Sequence, residues 1–243
     1  MIGLSENLGF PAGCNVGIES ALKAGAEWVF LVNSDVVLAP GTLSELLAEA
    51  RVRPSAGILG PLVLSREEPD AIASAGITYS AGSGRMLSPL TGRPASHAPT
   101  ASFDVTAVSG CAMLIRRAVL EKAGLFDAAY FFFFEDVDLC LRARAAGFET
   151  RCVPGARVYH EGGRTIGARS ARRIYFATRN HLRLASRLQP RRFMRTITAG
   201  SIVGLNTAYV LTSPDAPLLS GLGAVVRGTW HHLLGRYGPD TAA

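Results

Sequence analysis

Hydrophobic and polar positions along this chain fall into blocks that predict helix and buried strand in turn. Val16, Ile18, Ala21 and Leu22 recur at helical spacing over Cys14 to Ala24, and Gly25 supplies a stop. The preceding Ser5 to Gly13, with Asn, Gly and Pro, reads as a loop. Trp28 to Val32 is an unbroken apolar run, the pattern of a strand covered on both faces. It gives way to Asn33-Ser34-Asp35, and Pro40-Gly41 opens a helix over Thr42 to Arg51 with Leu43, Leu46, Leu47 and Ala50 on one face. Gly57 to Gly60 predicts a second buried strand. Residues 65–104, rich in Ser, Gly, Pro and Ala, predict a hairpin near Ile77 to Tyr79 and little else. Order returns with a strand over Cys111 to Ile115 and a helix over Arg117 to Ala123 closed by Gly124. A second helix, Asp136 to Ala146, is closed by Gly147; a strand follows at Glu149 to Val153, and a long basic helix over Ser170 to Leu188 ends at Pro190.

Helix alternating with buried strand predicts an α/β layered domain, in which ligands sit at the carboxyl ends of strands. Asn33-Ser34-Asp35 occupies one such end. The pattern divides the chain into a catalytic-type domain over residues 1–190 and a helical tail over residues 191–243. Thr196 to Pro214 is uncharged, yet Gly200, Gly204 and Asn206 dilute its apolar character, so it predicts a buried or interfacial helix rather than a membrane span.

Composition changes this picture in two places. The four cysteines, Cys14, Cys111, Cys140 and Cys152, lie in apolar surroundings without paired spacing, which argues against a disulfide scaffold or zinc site. With no leader pattern after Met1, they point to a cytoplasmic protein. The net charge of +6 is concentrated: Gly162 to Pro214 holds ten arginines and no acid. Such a block calls for an anionic partner, and with the apolar Leu218 to Val226 and Trp230 behind it, it suits an anionic membrane surface on the inner face of the plasma membrane. A helical tail packed on the domain reads equally well. Nucleic acid is a poor match, since no recognised DNA- or RNA-binding pattern accompanies the arginines.

Four places carry candidate chemistry. Asp35 reads first as a turn aspartate, and second as a carboxylate for a divalent metal. Glu135 and Asp136 follow Tyr130 and four phenylalanines, Phe131 to Phe134. They read either as acids favoured in a first helical turn or as carboxylates desolvated by rings, as a general base requires. Asp138 reads as the partner of Arg142 one turn on. His160 closes a strand, the place of a structural histidine or of a second metal ligand. The glycines of Asn7 to Gly17 form no phosphate-loop pattern, though they lead into a helix N-terminus.

The order of these elements resembles the family 2 glycosyltransferases, in particular their rhamnosyltransferase-like and galactofuranosyltransferase-like bacterial members. The resemblance is carried by Asn7 to Ile18, Leu31 to Val37 with Pro40-Gly41, Gly57 to Pro61, and Val108 to Arg117. It continues through Gly124 to Asp127, Phe134 to Arg142 and Val158 to His160. It implies the GT-A fold, a mixed and mostly parallel sheet with flanking helices. It places Asp35 at the metal-binding position of the DXD motif, with Asn33 where many relatives carry Asp, and His160 as the ligand that completes the Mg²⁺ or Mn²⁺ site. Asp136 falls at the catalytic base. Ser109, Gly110 and Glu135 would line the acceptor pocket, and Gly13 and Asn15 would lie near the donor.

The implied activity is inverting transfer of a sugar, with rhamnose or another deoxyhexose as a candidate. The donor would be a nucleoside-diphosphate sugar and the acceptor a cell-envelope glycan or lipid-linked hydroxyl. The resemblance also implies strand–helix units ahead of Asn7 that bind the base and ribose. Met1 stands six residues before Asn7, so that half is expected to lie outside this sequence. The alternative expectation is therefore a non-catalytic remnant that does not bind donor.

Overall fold

The computed structural model describes residues 2–80, 82–161, 170–213 and 216–240. Nine strands are described: β1 Trp28–Val32, β2 Val36–Leu38, β3 Ala56–Ser65, β4 Ile72–Ser74, β5 Thr78–Tyr79, β6 Met86–Leu87, β7 Phe103–Asp104, β8 Ala112–Arg116 and β9 Glu149–His160. The helices are α1 Phe10–Lys23, α2 Thr42–Val52, α3 Arg117–Ala123, α4 Glu135–Ala145, α5 Ala171–Leu188, α6 Arg192–Thr212 and α7 Leu218–Leu233. The main sheet runs β1-β8-β3-β9-β2, with β4 and β7 at its margins, and β5 and β6 form the hairpin expected near Tyr79.

The sheet is mixed. Strands β1, β3 and β9 point one way, but β8 lies antiparallel between β1 and β3, so adjacent strands pair in parallel at β3–β9. Alternation along each strand sorts side chains between two faces. Val29, Ile58, Met113 and Ile115 meet Ile18, Val119, Val137 and Cys140 from α1, α3 and α4 on one face. Leu59, Leu114, Trp28 and Phe30 meet Leu46 and Leu47 of α2 on the other.

Three boundaries differ from the sequence expectation, each for a local reason. Helix α1 begins at Phe10 rather than Cys14, because Pro11 sits in its first turn, where a missing amide leaves nothing unsatisfied. Gly9 (φ 80°) permits this start: a Cβ there would stand 2.6 Å from the Phe131 carbonyl oxygen. Strands β3 and β9 both outrun the expected lengths. Pro61 pairs with Val153 and Leu62 with Arg157, so Pro154 to Ala156 bulge out of the ladder without ending it.

The segment ahead of α4 is strained. Phe131, Phe133 and Phe134 adopt φ of 62°, 70° and 74°, a region that residues with a side chain rarely enter. Helix α5 holds them there. The Asn180 amide donates to the carbonyls of Tyr130 (2.9 Å), Phe132 (2.7 Å) and Phe133 (3.0 Å). The Arg179 guanidinium, 1% exposed, donates to the Tyr130 carbonyl and to that of Gly238. Phe131 stacks on Phe176.

The arginine block is thus partly internal. Arg183 and Arg187 each reach Asp127 Oδ2 at 2.7 Å, and Arg187 also lies 3.2 Å from Asp138. Burial alone would raise the Asp127 carboxyl, but the Arg183 hydrogen bond, the Ala129 amide and the two positive charges bring it below its usual range. Asp138 pairs with Arg142 at 2.7 Å, as spacing predicts. Arg164 and Arg169 lie outside the described residues. The tail packs on α5 through α7, where the Tyr175 hydroxyl meets His231 Nδ1 at 2.8 Å and Arg183 lies over the Tyr237 ring. Among the described residues no helix is long and apolar enough to cross a membrane.

The Tyr130 carbonyl also accepts from Arg179, so Asn180→Ala leaves the Phe132 and Phe133 carbonyls unpaired, a loss of about 3 kcal/mol. At this chain length that corresponds to a Tm fall on the order of 10 °C, measurable by calorimetry. A fall under about 2 °C would mean the strained turn is held by other contacts.

Candidate active site

The site begins where β1 ends. Its last residue, Val32, pairs with Ala112, the first of β8, so the turn after β1 and the turn before β8 face each other. The Asn33 amide donates to the Cys111 carbonyl at 2.8 Å, and the Val36 amide to the Asn33 carbonyl, which tightens the turn that carries Asp35. Strand β2 then pairs with β9 so that Val36 stands opposite His160. This register, invisible in the sequence, brings His160 Nε2 to 3.3 Å from Asp35 Oδ2. Both side chains remain partly exposed.

The segment Ser109 to Cys111 carries the second half. The Gly110 amide donates to Asp136 Oδ2 at 2.9 Å, and the Val137 amide to Asp136 Oδ1 at 2.8 Å. A Cβ on Gly110 would stand 3.3 Å from the Asp136 Cβ and 3.4 Å from its Oδ2. Glycine therefore lets the backbone approach the carboxylate. Ser109 Oγ accepts from the Cys111 amide. Cys111 lies within electrostatic reach of both Asp35 and Asp136: burial first, then these two negative charges, push its thiol up to about 11. One short segment thus adjoins the Asp35–His160 pair on one side and Asp136 on the other.

Electrostatics distinguish the two acids that open α4. Burial raises the Asp136 carboxyl, while the Gly110 and Val137 amides oppose the rise by favouring the ionised form. Glu135 is 6% exposed, and among the described residues its Oε2 has no hydrogen-bond partner. Burial and then the neighbouring Asp136 charge push it well above the usual carboxylate range. A buried carboxylate oxygen left unpaired is uncommon in a settled core.

The remaining expected residues fall on α1. Gly13 lies in its first turn, its amide donating to the Gly9 carbonyl. The Asn15 side chain is engaged with the backbone of Phe126: its Nδ2 donates to the Phe126 carbonyl at 2.9 Å, and its Oδ1 accepts from the Phe126 amide at 3.0 Å. Sequence reasoning missed Arg179 and Asn180, which hold the backbone leading into Glu135 and Asp136. Their signal was a buried-face position on an amphipathic helix, hidden among arginines that read as a block calling for an anionic partner.

Residues 4–183 match the profile described as glycosyltransferase-like family 2. The chain belongs to that family. Its relatives include the N-acetylglucosaminyl-diphospho-decaprenol L-rhamnosyltransferase of Mycobacterium tuberculosis, 33% identical over 189 residues, which are 66% of this chain and 58% of that protein. This family 2 chain therefore spans little more than half the length of that curated relative. Two solved structures share the fold. The mannosyltransferase PcManGT of Pyrobaculum calidifontis, in complex with GDP-Man and Mn²⁺, superposes over 97% of this chain and 69% of its own at TM-score 0.51 and 12% identity. GalNAc-T7 with UDP, GalNAc and Mn²⁺ does so over 88% and 46% at TM-score 0.50 and 16% identity. This family 2 chain thus has the GT-A fold.

Glu135 gives this glycosyltransferase-like domain a measurable pH signature. A carboxyl whose pKa is raised by folding binds more protons in the folded than in the unfolded state. Its contribution to stability is complete below the unfolded value, near 4.5, and is lost as pH rises through the folded one. Glu135→Gln should then raise Tm at neutral pH, by about 2–4 °C per kcal/mol recovered, and flatten the fall of Tm above pH 4.5. A variant no more stable than the parent at neutral pH would contradict an unpaired Glu135.

Proposed function

We propose that this chain transfers a sugar, rhamnose or another deoxyhexose, from a nucleoside-diphosphate donor to a hydroxyl of a cell-envelope glycan or lipid-linked acceptor, with inversion. The observation that carries the reading is the Ser109–Cys111 segment, which adjoins the Asp35–His160 pair and accommodates Asp136 against a glycine amide. The relative named as an N-acetylglucosaminyl-diphospho-decaprenol L-rhamnosyltransferase supports the substrate classes.

Asp136 is the base in this reading. Its raised proton affinity, its partial exposure and its fixed orientation between two amides suit removal of a proton from an acceptor hydroxyl within about 3 Å. Ser109, Gly110 and Glu135 border the acceptor. Burial and the Asp136 charge raise the proton affinity of Glu135, which suits it to donate a hydrogen bond to the acceptor in its protonated form. Asn33, with Gly13 and Asn15 on α1, borders the donor. Direct displacement from the face opposite the leaving diphosphate inverts the anomeric centre.

A divalent metal fits Asp35 and His160. Among the described residues no group of three or more potential ligand side chains stands together. Two side-chain ligands with further positions open to diphosphate oxygens and water is nonetheless the arrangement such ions use on nucleotides. The nitrogen ligand favours Mn²⁺ over Mg²⁺. When bound, the metal would neutralise charge on the departing diphosphate. Residues 1–190 form the catalytic domain and residues 191–243 a tail that rests against the inner face of the plasma membrane.

The test is transfer from a nucleoside-diphosphate deoxyhexose to a lipid-linked N-acetylglucosamine with Mn²⁺ present. Asp136→Asn should lower kcat by about 100-fold or more, with the donor KM little changed. Unchanged turnover would remove Asp136 from the role. Asp35→Ala and His160→Ala should each raise the Mn²⁺ concentration giving half-maximal rate by about tenfold or more. A chain with no affinity for the donor would be the non-catalytic remnant instead.

A further inference from the structure

Helix α7 ends at Leu233, and the chain beyond it folds back against α5. Its tip, Tyr237-Gly238, is half-buried and binds mainly through polar groups. Gly238 uses both of its main-chain groups. Its amide donates to the Ala129 carbonyl at 2.9 Å, and its carbonyl accepts from Arg179 Nη1 at 2.9 Å. Gly238 holds φ of 91°, where a side chain is strained, although a Cβ would meet nothing within 4 Å. The glycine is there for its backbone, not for space. The Tyr237 ring lies 4.2 Å from the Arg183 guanidinium and 5.7 Å from that of Arg179, and its hydroxyl meets His232 Nδ1 at 2.9 Å. Asp240 anchors the tip by pairing with Arg227 at 2.9 Å.

Both cations also reach Tyr130. Arg179 Nη2 donates to the Tyr130 carbonyl at 3.1 Å, and Arg183, fixed by Asp127, lies 5.5 Å from the centre of the Tyr130 ring. Tyr130 is fully buried, and its hydroxyl donates to Asp138 Oδ1 at 3.2 Å. Asp138 shares the first turn of α4 with Asp136. The strained turn, Phe131 to Phe134, lies between Tyr130 and Asp138, so Tyr130 grips both ends of it.

Backbone strain of this kind persists only while its neighbours over-determine it. Arg179 supplies part of that hold, and a buried guanidinium keeps its place only while its donors find acceptors. Among the described residues, loss of the Gly238 carbonyl would leave Arg179 Nη1 with the Tyr175 hydroxyl alone. We infer that Tyr237 and Gly238 are positioning residues: they clamp Tyr130 and the phenylalanine turn, and so keep Asp136 against the Gly110 amide. The inference rests on the role proposed above for Asp136 and adds the residues that hold it from beyond α7.

The Gly110 amide reports on Asp136 without turnover, because its hydrogen bond to Oδ2 moves its proton resonance downfield and slows its exchange with solvent. Tyr237→Ala and Gly238→Ala should each move that resonance upfield and speed its exchange by about tenfold or more. The amides of Ile58 and Leu59 in β3 should keep the protection of the parent. Tyr237→Phe keeps the ring and gives up the His232 hydrogen bond, so it should match the parent. In sugar transfer the two alanine variants should lower kcat by about tenfold or more. The donor KM should change little, since the clamp touches none of the residues that border the donor.

A Gly110 amide unchanged in both alanine variants would overturn the inference. Exchange faster by one common factor at Gly110, Ile58 and Leu59 would show a loss of overall stability only, and overturn it too. So would a loosened Gly110 amide with kcat at the parent level. A parent chain that transfers no sugar would count against the proposed function, and the Gly110 measurement would still decide the clamp. A clamp that fails leaves sugar transfer by Asp136 standing.

Discussion

The arrangement depends on two backbone hydrogen bonds made by adjacent residues. The Gly110 amide holds Asp136, and the Cys111 carbonyl receives the Asn33 amide. Both follow from the antiparallel insertion of β8 between β1 and β3, which brings the start of one strand beside the end of another. The Asp35–His160 pair and Asp136 adjoin the same short segment because main-chain groups meet there. The Gly110 and Val137 amides orient the Asp136 carboxylate without adding a positive charge beside it.

The approach to Asp136 is built differently. The phenylalanine turn stores strain at three residues, and α5 holds it with a buried guanidinium and a carboxamide. Strain of this kind persists only where surroundings over-determine the backbone, and it gathers at functional sites. Glu135 fits the same pattern, with a buried carboxylate oxygen that no group among the described residues satisfies. The tail contributes through the Gly238 carbonyl, which accepts from Arg179. The tail and the phenylalanine turn are therefore joined through α5.

Most of the fold was legible in the sequence, and the reasons are physical. Trp28 to Val32, α2, α3, α4 and α5 carry strong periodicity and clear stops, and the structure places each within a residue or two. The strands expected over Gly57 to Gly60 and Glu149 to Val153 run on past Pro61 and Pro154, because the ladder absorbs the irregularity at a bulge. Asp35 and His160 were legible as separate candidates, but their approach to 3.3 Å depends on the register of β2, a strand of three residues with little pattern of its own. Arg179 and Asn180 were hidden for another reason. Charge counting assigns an arginine to solvent, and only packing shows that its guanidinium serves carbonyls inside the protein.

The most direct measurement is the anomalous-scattering position of Mn²⁺ in crystals soaked with a nucleoside diphosphate. The ion should lie between Asp35 Oδ2 and His160 Nε2, with the diphosphate on the side that faces Gly110 and Asp136. Manganese bound to the diphosphate away from both side chains, or a diphosphate on a face remote from Asp136, would contradict this placement.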